Sequence, residues 1–308
     1  MRTLIWLFIP LALLSACSDD DDANGTGTPG AASSGAGASG SGGTGGGGSS
    51  TGGEGAGGGG AGGGAAVGAA RVAHLAPDAP AVDFCVSPDA GTTWIGPVMD
   101  GVLGDADGLA FTEVTGYLEL PVGTYTARLV APASANCDTA LADLPDVADI
   151  QVAEATDYTL AATGMLTPAG DDEAFAVRAY GDDNAVPAGQ AKLRFIHASP
   201  DTPNVDVGTG SGETFAAVFT NVAYGTVGQV GGMDYLTTPP LDGITVSARA
   251  TGTDTDALVI PGVSLPADAV ATAFAIGNLD GDPADLQVLV CVDNGPLTDG
   301  LTSCTALP

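Results

Sequence analysis

The chain of 308 residues has two histidines, His74 and His197, and each opens a near-copy of one stretch: HLAPDAPAVD from His74 to Asp83 and HASPDTPNVD from His197 to Asp206. An imidazole beside aspartates is raw material for a general base, a proton shuttle or a metal site. Zinc asks for three or four protein donors, mostly histidine or cysteine, and one histidine per stretch falls short. Serine hydrolysis needs an elbow such as GxSxG; none occurs, and GTGSG at 208–212 places its serine wrongly. Glycine-rich strings before residue 70 lack a strand before and a helix after, so no dinucleotide site is indicated. Any two of the 37 acidic residues could converge as glycosidase acids. Against that, Trp94 is the one tryptophan after the N-terminal apolar run, which leaves few aromatic platforms for a sugar. Calcium takes oxygen ligands only. GDADG (Asp105, Asp107) and DGDPAD (Asp280, Asp282, Asp285) offer carboxylates, but neither follows a calcium loop from end to end, and such clusters are usually plain turns. The residues therefore predict no catalytic set, no cofactor and no metal centre.

The bland alternative is a corner. Side chains alternate along a strand, so Leu193, Phe195 and His197 share one face and Lys192 and Arg194 the other; Val72 and His74 likewise oppose Arg71. The histidine belongs with the apolar set. Pro77 and Pro80, and Pro200 and Pro203, then fix φ and turn the chain, while Asp78 and Asp201 accept turn N–H groups. Val82-Asp83 and Val205-Asp206 resume a strand. The expectation is that both imidazoles brace this bend, bonded to a carbonyl or carboxylate within it.

The corner recurs because the chain is doubled. RVAHLAPDAPAVDF from Arg71 and RFIHASPDTPNVDV from Arg194 agree at seven of fourteen positions. Downstream, Tyr117-Leu118 answers Tyr235-Leu236, and YTLAATGML answers TAFAIGNLD, which marks a tandem repeat with loop differences. Short runs rich in Val, Ile, Thr, Tyr and Phe alternate with Gly, Pro, Asp and Asn, and no long 3.6-residue period appears. An all-β chain follows: two antiparallel β-sandwich domains of about seven strands each, over 71–183 and 191–308, with a seam at Gly181–Gln190.

Upstream, residues 1–16 read as a secretory signal with an apolar run from Leu4 to Leu14. Leu14-Ser15-Ala16-Cys17 resembles the lipobox of bacterial lipoproteins, which implies cleavage before Cys17 and lipid on it. From 17 to 70 an acidic run (Asp19 to Asp22) and a Gly/Ala/Ser/Thr tract predict a disordered tether, since so few large apolar groups cannot offset the ordering entropy. The reading is a protein held on the outer membrane by lipid, facing the periplasm or the cell surface, with a cell-envelope or extracellular protein or glycan as partner. Loops 87–104 and 204–215 are where a partner surface is expected. A net charge of −30 repels phosphate backbones, so nucleic-acid binding is excluded. Cys85, Cys137, Cys291 and Cys304 are even in number with no CxxC, which favours disulfides over zinc. Nearness in sequence pairs Cys85 with Cys137 and Cys291 with Cys304, among three possible connectivities.

The H-x-[AS]-P-D-x-P-x-V-D stretch, NVAYGTV at 221–227 and the hairpin from Tyr117 to Tyr125 resemble the bacterial domain of unknown function 4397. That resemblance spans nearly all of 71–304 in two copies and implies an immunoglobulin-like or transthyretin-like sandwich with no established catalytic residues. The first copy departs from it, with an Asp/Gly-rich insertion around 101–113 in place of a clear NVAYGTV. The reading is a non-catalytic interaction or structural module. Its alternative is a calcium-dependent carbohydrate-binding or adhesion lipoprotein, with Trp94 as a stacking residue.

Overall fold

The computed structural model describes residues 65–170 and 173–308; the signal, Cys17 and most of the tether tract lie outside the described residues. The first half contains β1 (Val67–His74), β2 (Asp83–Ser87), β3 (Leu118–Pro121), β4 (Gly123–Val130), β5 (Val147–Val152), β6 (Asp157–Thr163) and β7 (Ala176–Asp182). The second contains β8 (Ala191–His197), β9 (Val205–Thr209), β10 (Ala216–Val222), β11 (Leu236–Thr238), β12 (Leu241–Ala250), β13 (Asp256–Leu265), β14 (Val270–Ile276) and β15 (Gln287–Val292). Three short strands close the chain: β16 (Leu297–Thr298), β17 (Leu301–Thr302) and β18 (Cys304–Leu307). Among the described residues no helix is long and apolar enough to cross a membrane.

Each half is a two-sheet sandwich. An outer sheet, β2-β4-β5 or β10-β9-β12-β13, faces an inner sheet, β3-β1-β6-β7 or β11-β8-β14-β15-β18. Most ladders are antiparallel, but β1 runs parallel to β6 and β8 parallel to β14. Parallel pairs occur where both faces are covered, and here they are. One face of each inner sheet packs on its own outer sheet: Phe84 and Leu129 with Val72 and Leu118 in the first half, Phe195 and Ala275 with Val207 and Phe219 in the second. The other faces meet each other. Ala73, Ala161 and Tyr180 share one core with Ile196, Phe274, Ile276 and Leu289. The two sandwiches are thus four stacked layers, and residues 65–308 cluster as one unit. All seven residues of β14 are buried, as a strand covered on both faces requires.

The tether expected over 17–70 ends earlier than its composition suggests. Val67–Ala70 belong to β1 and pair with β3. Their smallness serves packing: a Cβ on Gly68 would lie 2.3 Å from the Ala153 carbonyl oxygen. At the other end, Thr302 N–H donates to Val114 O and Gly116 N–H to Gly300 O, so the C-terminal hairpin reaches back onto the first half. Disulfides join Cys85 to Cys137 and Cys291 to Cys304.

The halves differ in how fully their sandwiches are filled. The cross-strand pair Phe84–Leu129 of the first half is Val207–Ala248 in the second. Val207 and Ala248 line an apolar cavity of about 90 Å³ between the second pair of sheets. Ala248→Leu, which restores the residue found at Leu129, should therefore stabilise the chain by about 0.5–2 kcal/mol. A denaturant midpoint that falls would show that the cavity cannot accept the side chain.

Candidate functional site: the histidine corners and the face between the halves

β1 and β8 end on the histidines, and both rings are 0% exposed. His74 Nε2 donates to the Pro80 carbonyl at 2.9 Å, and His197 Nε2 to the Pro203 carbonyl at 3.1 Å. A carbonyl can only accept, so Nε2 carries the proton in both rings. Nδ1 is buried in each and has no partner among the described residues. Phe111 meets the first ring edge-on and Tyr224 the second, at 6.4 and 6.2 Å between centroids. A ring so enclosed can neither reach a substrate nor offer two open donors; it ties the strand end to the bend.

The aspartates of the motif secure different loops. Asp78 accepts from Leu166 N, Thr167 N and Thr167 Oγ1, and Asp201 from Leu279 N and Asp280 N. They clamp the loop after β6 or β14 instead of accepting backbone N–H groups of their own turn, where Asp201 takes only a long 3.5 Å bond from Thr202 Oγ1. Asp83, fully buried, accepts from Phe84 N, Met99 N and Asp100 N; Asp206 accepts from Asn221 N and Thr251 Oγ1. The segment corresponding to NVAYGTV in the first half is Ala110-Phe111-Thr112-Glu113. Thr112 N donates to His74 O as Gly225 N does to His197 O, and both residues have positive φ, 78° and 74°. The contacts are backbone to backbone, so side-chain identity was free to drift and hid the match.

Burial lowers the pKa of both histidines, against the hydrogen bonds to Pro80 and Pro203 that favour the charged form. In the unfolded chain the rings return to an ordinary value near 6.5. Below that pH the unfolded state binds more protons, so the stability held by neutral rings is complete above about pH 6.5 and declines as pH falls. Between pH 7 and 5 the unfolding free energy, and the melting midpoint with it, should fall, the former by up to about 1.4 kcal/mol per pH unit for each histidine. His197→Asn should lower stability and remove about half of that slope; a flat profile would contradict the buried neutral rings.

The other sequence candidates are occupied locally. Asp105 accepts from Asp107 N, and Asp280 from Asp282 N, as plain turns do. Among the described residues no three His, Cys, Asp or Glu side chains converge as a metal site. Arg128, bonded to Asp146 at 2.7 Å, lies 4.3 Å over the Trp94 ring and covers one face of it. In loop 87–104, Ser87 and Asp89 bond to Gly91 N and Thr93 N, and in loop 204–215 Ser211 and Thr214 bond each other's backbone, so both loops are internally tied.

The sequence did not reveal the polar cluster between the halves. Arg71 donates to Thr159 Oγ1 at 2.9 Å and to Asp293 Oδ1 at 2.8 Å. Arg194 donates to Thr272 Oγ1 at 3.0 Å and sits 2.6 Å from Asp182 Oδ1, an ionic contact without hydrogen-bond alignment. Thr159 donates to Asp182 and Thr272 to Asp293, both at 2.6 Å. Tyr117 and Tyr235 lie under Arg71 and Arg194, each 5.0 Å from guanidinium to ring. Burial alone would lower the Arg71 pKa, but Asp293, Tyr117 and Asp182 more than reverse it. Burial raises the Tyr117 phenol far above its ordinary range, so it stays a donor to Asp182 at 2.6 Å. Each arginine crosses to the other half's aspartate, with two charges of each sign in the set. The one available signal was that Arg71 and Arg194 are identical in the repeat.

Residues 68–208 match the family model described as a domain of unknown function (DUF4397). No curated protein matches the chain. Among solved structures, a Bacteroides fragilis NCTC 9343 protein provisionally titled a cell adhesion protein is 9% identical over 74% of this chain and 99% of its own, with a TM-score of 0.19. The Bacillus anthracis TIE protein is 12% identical over 79% of this chain and 44% of its own, with a TM-score of 0.18.

Proposed function

We propose that the protein is a lipid-anchored component of the bacterial cell envelope, carrying two tandem copies of this domain as a non-catalytic interaction or structural module. The observation that carries this reading is the sealing of both histidine rings against proline carbonyls, which removes the chain's only imidazoles from any role as base or ligand. The lipobox-like Leu14-Ser15-Ala16-Cys17 supports anchoring on the outer membrane, and the tract after it supports display at a distance from the lipid. The partner is an envelope or extracellular protein or glycan. A calcium-dependent carbohydrate-binding role has less support, since Asp105 and Asp280 are engaged in turns and Trp94 is covered on one face.

Fractionation tests the anchor: the wild-type chain should follow the outer membrane, and Cys17→Ala should release it to the soluble fraction. Retention of Cys17→Ala in the membrane would overturn lipid anchoring. Turnover of generic ester or glycoside substrates by the purified chain would overturn the non-catalytic reading.

A further inference from the structure

Beside the second histidine corner the face between the halves differs in polarity from its counterpart. His74 pairs with Ala162 and His197 with Ala275, while Arg178 lies opposite Ala161 and Leu289 opposite Phe274. Thr163 and Arg178 of the first half therefore correspond to Ile276 and Leu289 of the second, and Tyr224 corresponds to Phe111. The trio Ile276, Leu289 and Phe111 is apolar and packed in the shared core. The fold therefore does not require polar groups at Thr163, Arg178 and Tyr224.

Arg178 and Tyr224 also hold unused donors, while the Thr163 hydroxyl, donating to Ala176 O at 3.3 Å, orients the guanidinium. Arg178 Nε donates to Thr163 Oγ1 at 3.2 Å, and its guanidinium lies 5.0 Å from the Tyr224 ring centroid. Its two terminal nitrogens bond no described residue. Among the described residues it is also the one cation without a carboxylate within reach, whereas Arg71, Arg128, Lys192, Arg194 and Arg249 each have one. The buried Tyr224 hydroxyl likewise has no partner among the described residues. Gly225 gives the guanidinium its room, since a Cβ there would lie 2.6 Å from Arg178 Cζ.

We propose that Thr163, Arg178 and Tyr224 form a binding site for a carboxylate, borne by a small organic acid or by an acidic saccharide. The planar guanidinium fork matches a planar carboxylate with two parallel N–H donors. A net charge of −30 favours such a monoanion over a phosphate dianion, whose repulsion by the rest of the molecule is doubled. The site is independent of whether the chain is lipid-anchored.

Titration calorimetry of the full chain at neutral pH and physiological salt, with acetate, glucuronate and inorganic phosphate as probes, tests it. Two variants serve as controls, Arg178→Leu and Tyr224→Phe. Each installs a residue type that the other half already carries at that place, so both should keep a wild-type melting transition. At least one carboxylate should bind, with Arg178→Leu weakening it about tenfold or more and Tyr224→Phe about threefold. Preference for glucuronate over acetate identifies a saccharide source, and equal affinities identify a free acid. Absence of carboxylate binding, phosphate binding alone, or unchanged affinity in Arg178→Leu would overturn the proposal. Should Arg178→Leu fail to fold, Tyr224→Phe, which removes a single hydroxyl, decides: unchanged carboxylate affinity there would also overturn it.

Discussion

Asp293→Ala should destabilise the folded chain by about 3–5 kcal/mol, because it leaves a guanidinium buried between the halves without its nearest counter-charge. Arg71 Nη1 bonds Asp293 at 2.8 Å, and the alternative carboxylate, Asp182, stands 3.8 Å from Nε. Both partners of the pair have side chains that are 0% exposed, so water cannot take over the role. For a folded part of this size such a loss lowers the melting midpoint by roughly 6–20 °C. Arg71→Met combined with Asp293→Leu should cost less than the two single changes added together, since no buried charge is then left alone. Additive costs, or a midpoint unmoved by Asp293→Ala, would show that the cluster is hydrated and weak.

Neither half should fold alone. A chain ending at residue 183 would expose Arg71, Ala73, Leu75, Ala161 and Tyr180, which the intact molecule buries. It would also lose the hairpin that pairs with Val114 and Gly116. Residues 65–183 and 191–308, each produced separately, are expected to lack cooperative melting and to aggregate through the uncovered inner sheets, and to be rescued when produced together. Two soluble halves, each with a sharp transition of its own, would contradict a shared core.

How much of this was written in the sequence depended on whether the controlling contacts were local. β6 and β10 coincide with the short β-branched and aromatic runs DYTLAAT and AAVFTNV, although burial does not alternate along either. The histidine bend was also legible, since ring, prolines and carbonyl acceptor lie within seven residues. β13 carries little local signal: Pro261 and Gly262 interrupt its pattern, and an edge strand at the end of its sheet tolerates both. The repeat was read one residue out of step near β6 and β14, where the two halves superpose Thr159 on Thr272. Alternation assigned Lys192 and Arg194 to the face opposite the apolar one but could not say what covers it. Their partners sit on strands distant in sequence, and a buried ion pair has the same local pattern as a solvated one.

Scanning calorimetry of the purified full chain tests the stacked, four-layer body most directly. A single transition is expected, with calorimetric and van't Hoff enthalpies equal, and Asp293→Ala should move it as a whole. Two separable transitions, only one of them shifted by Asp293→Ala, would mean that the halves are independent domains and that the arginine–aspartate cluster does not join them.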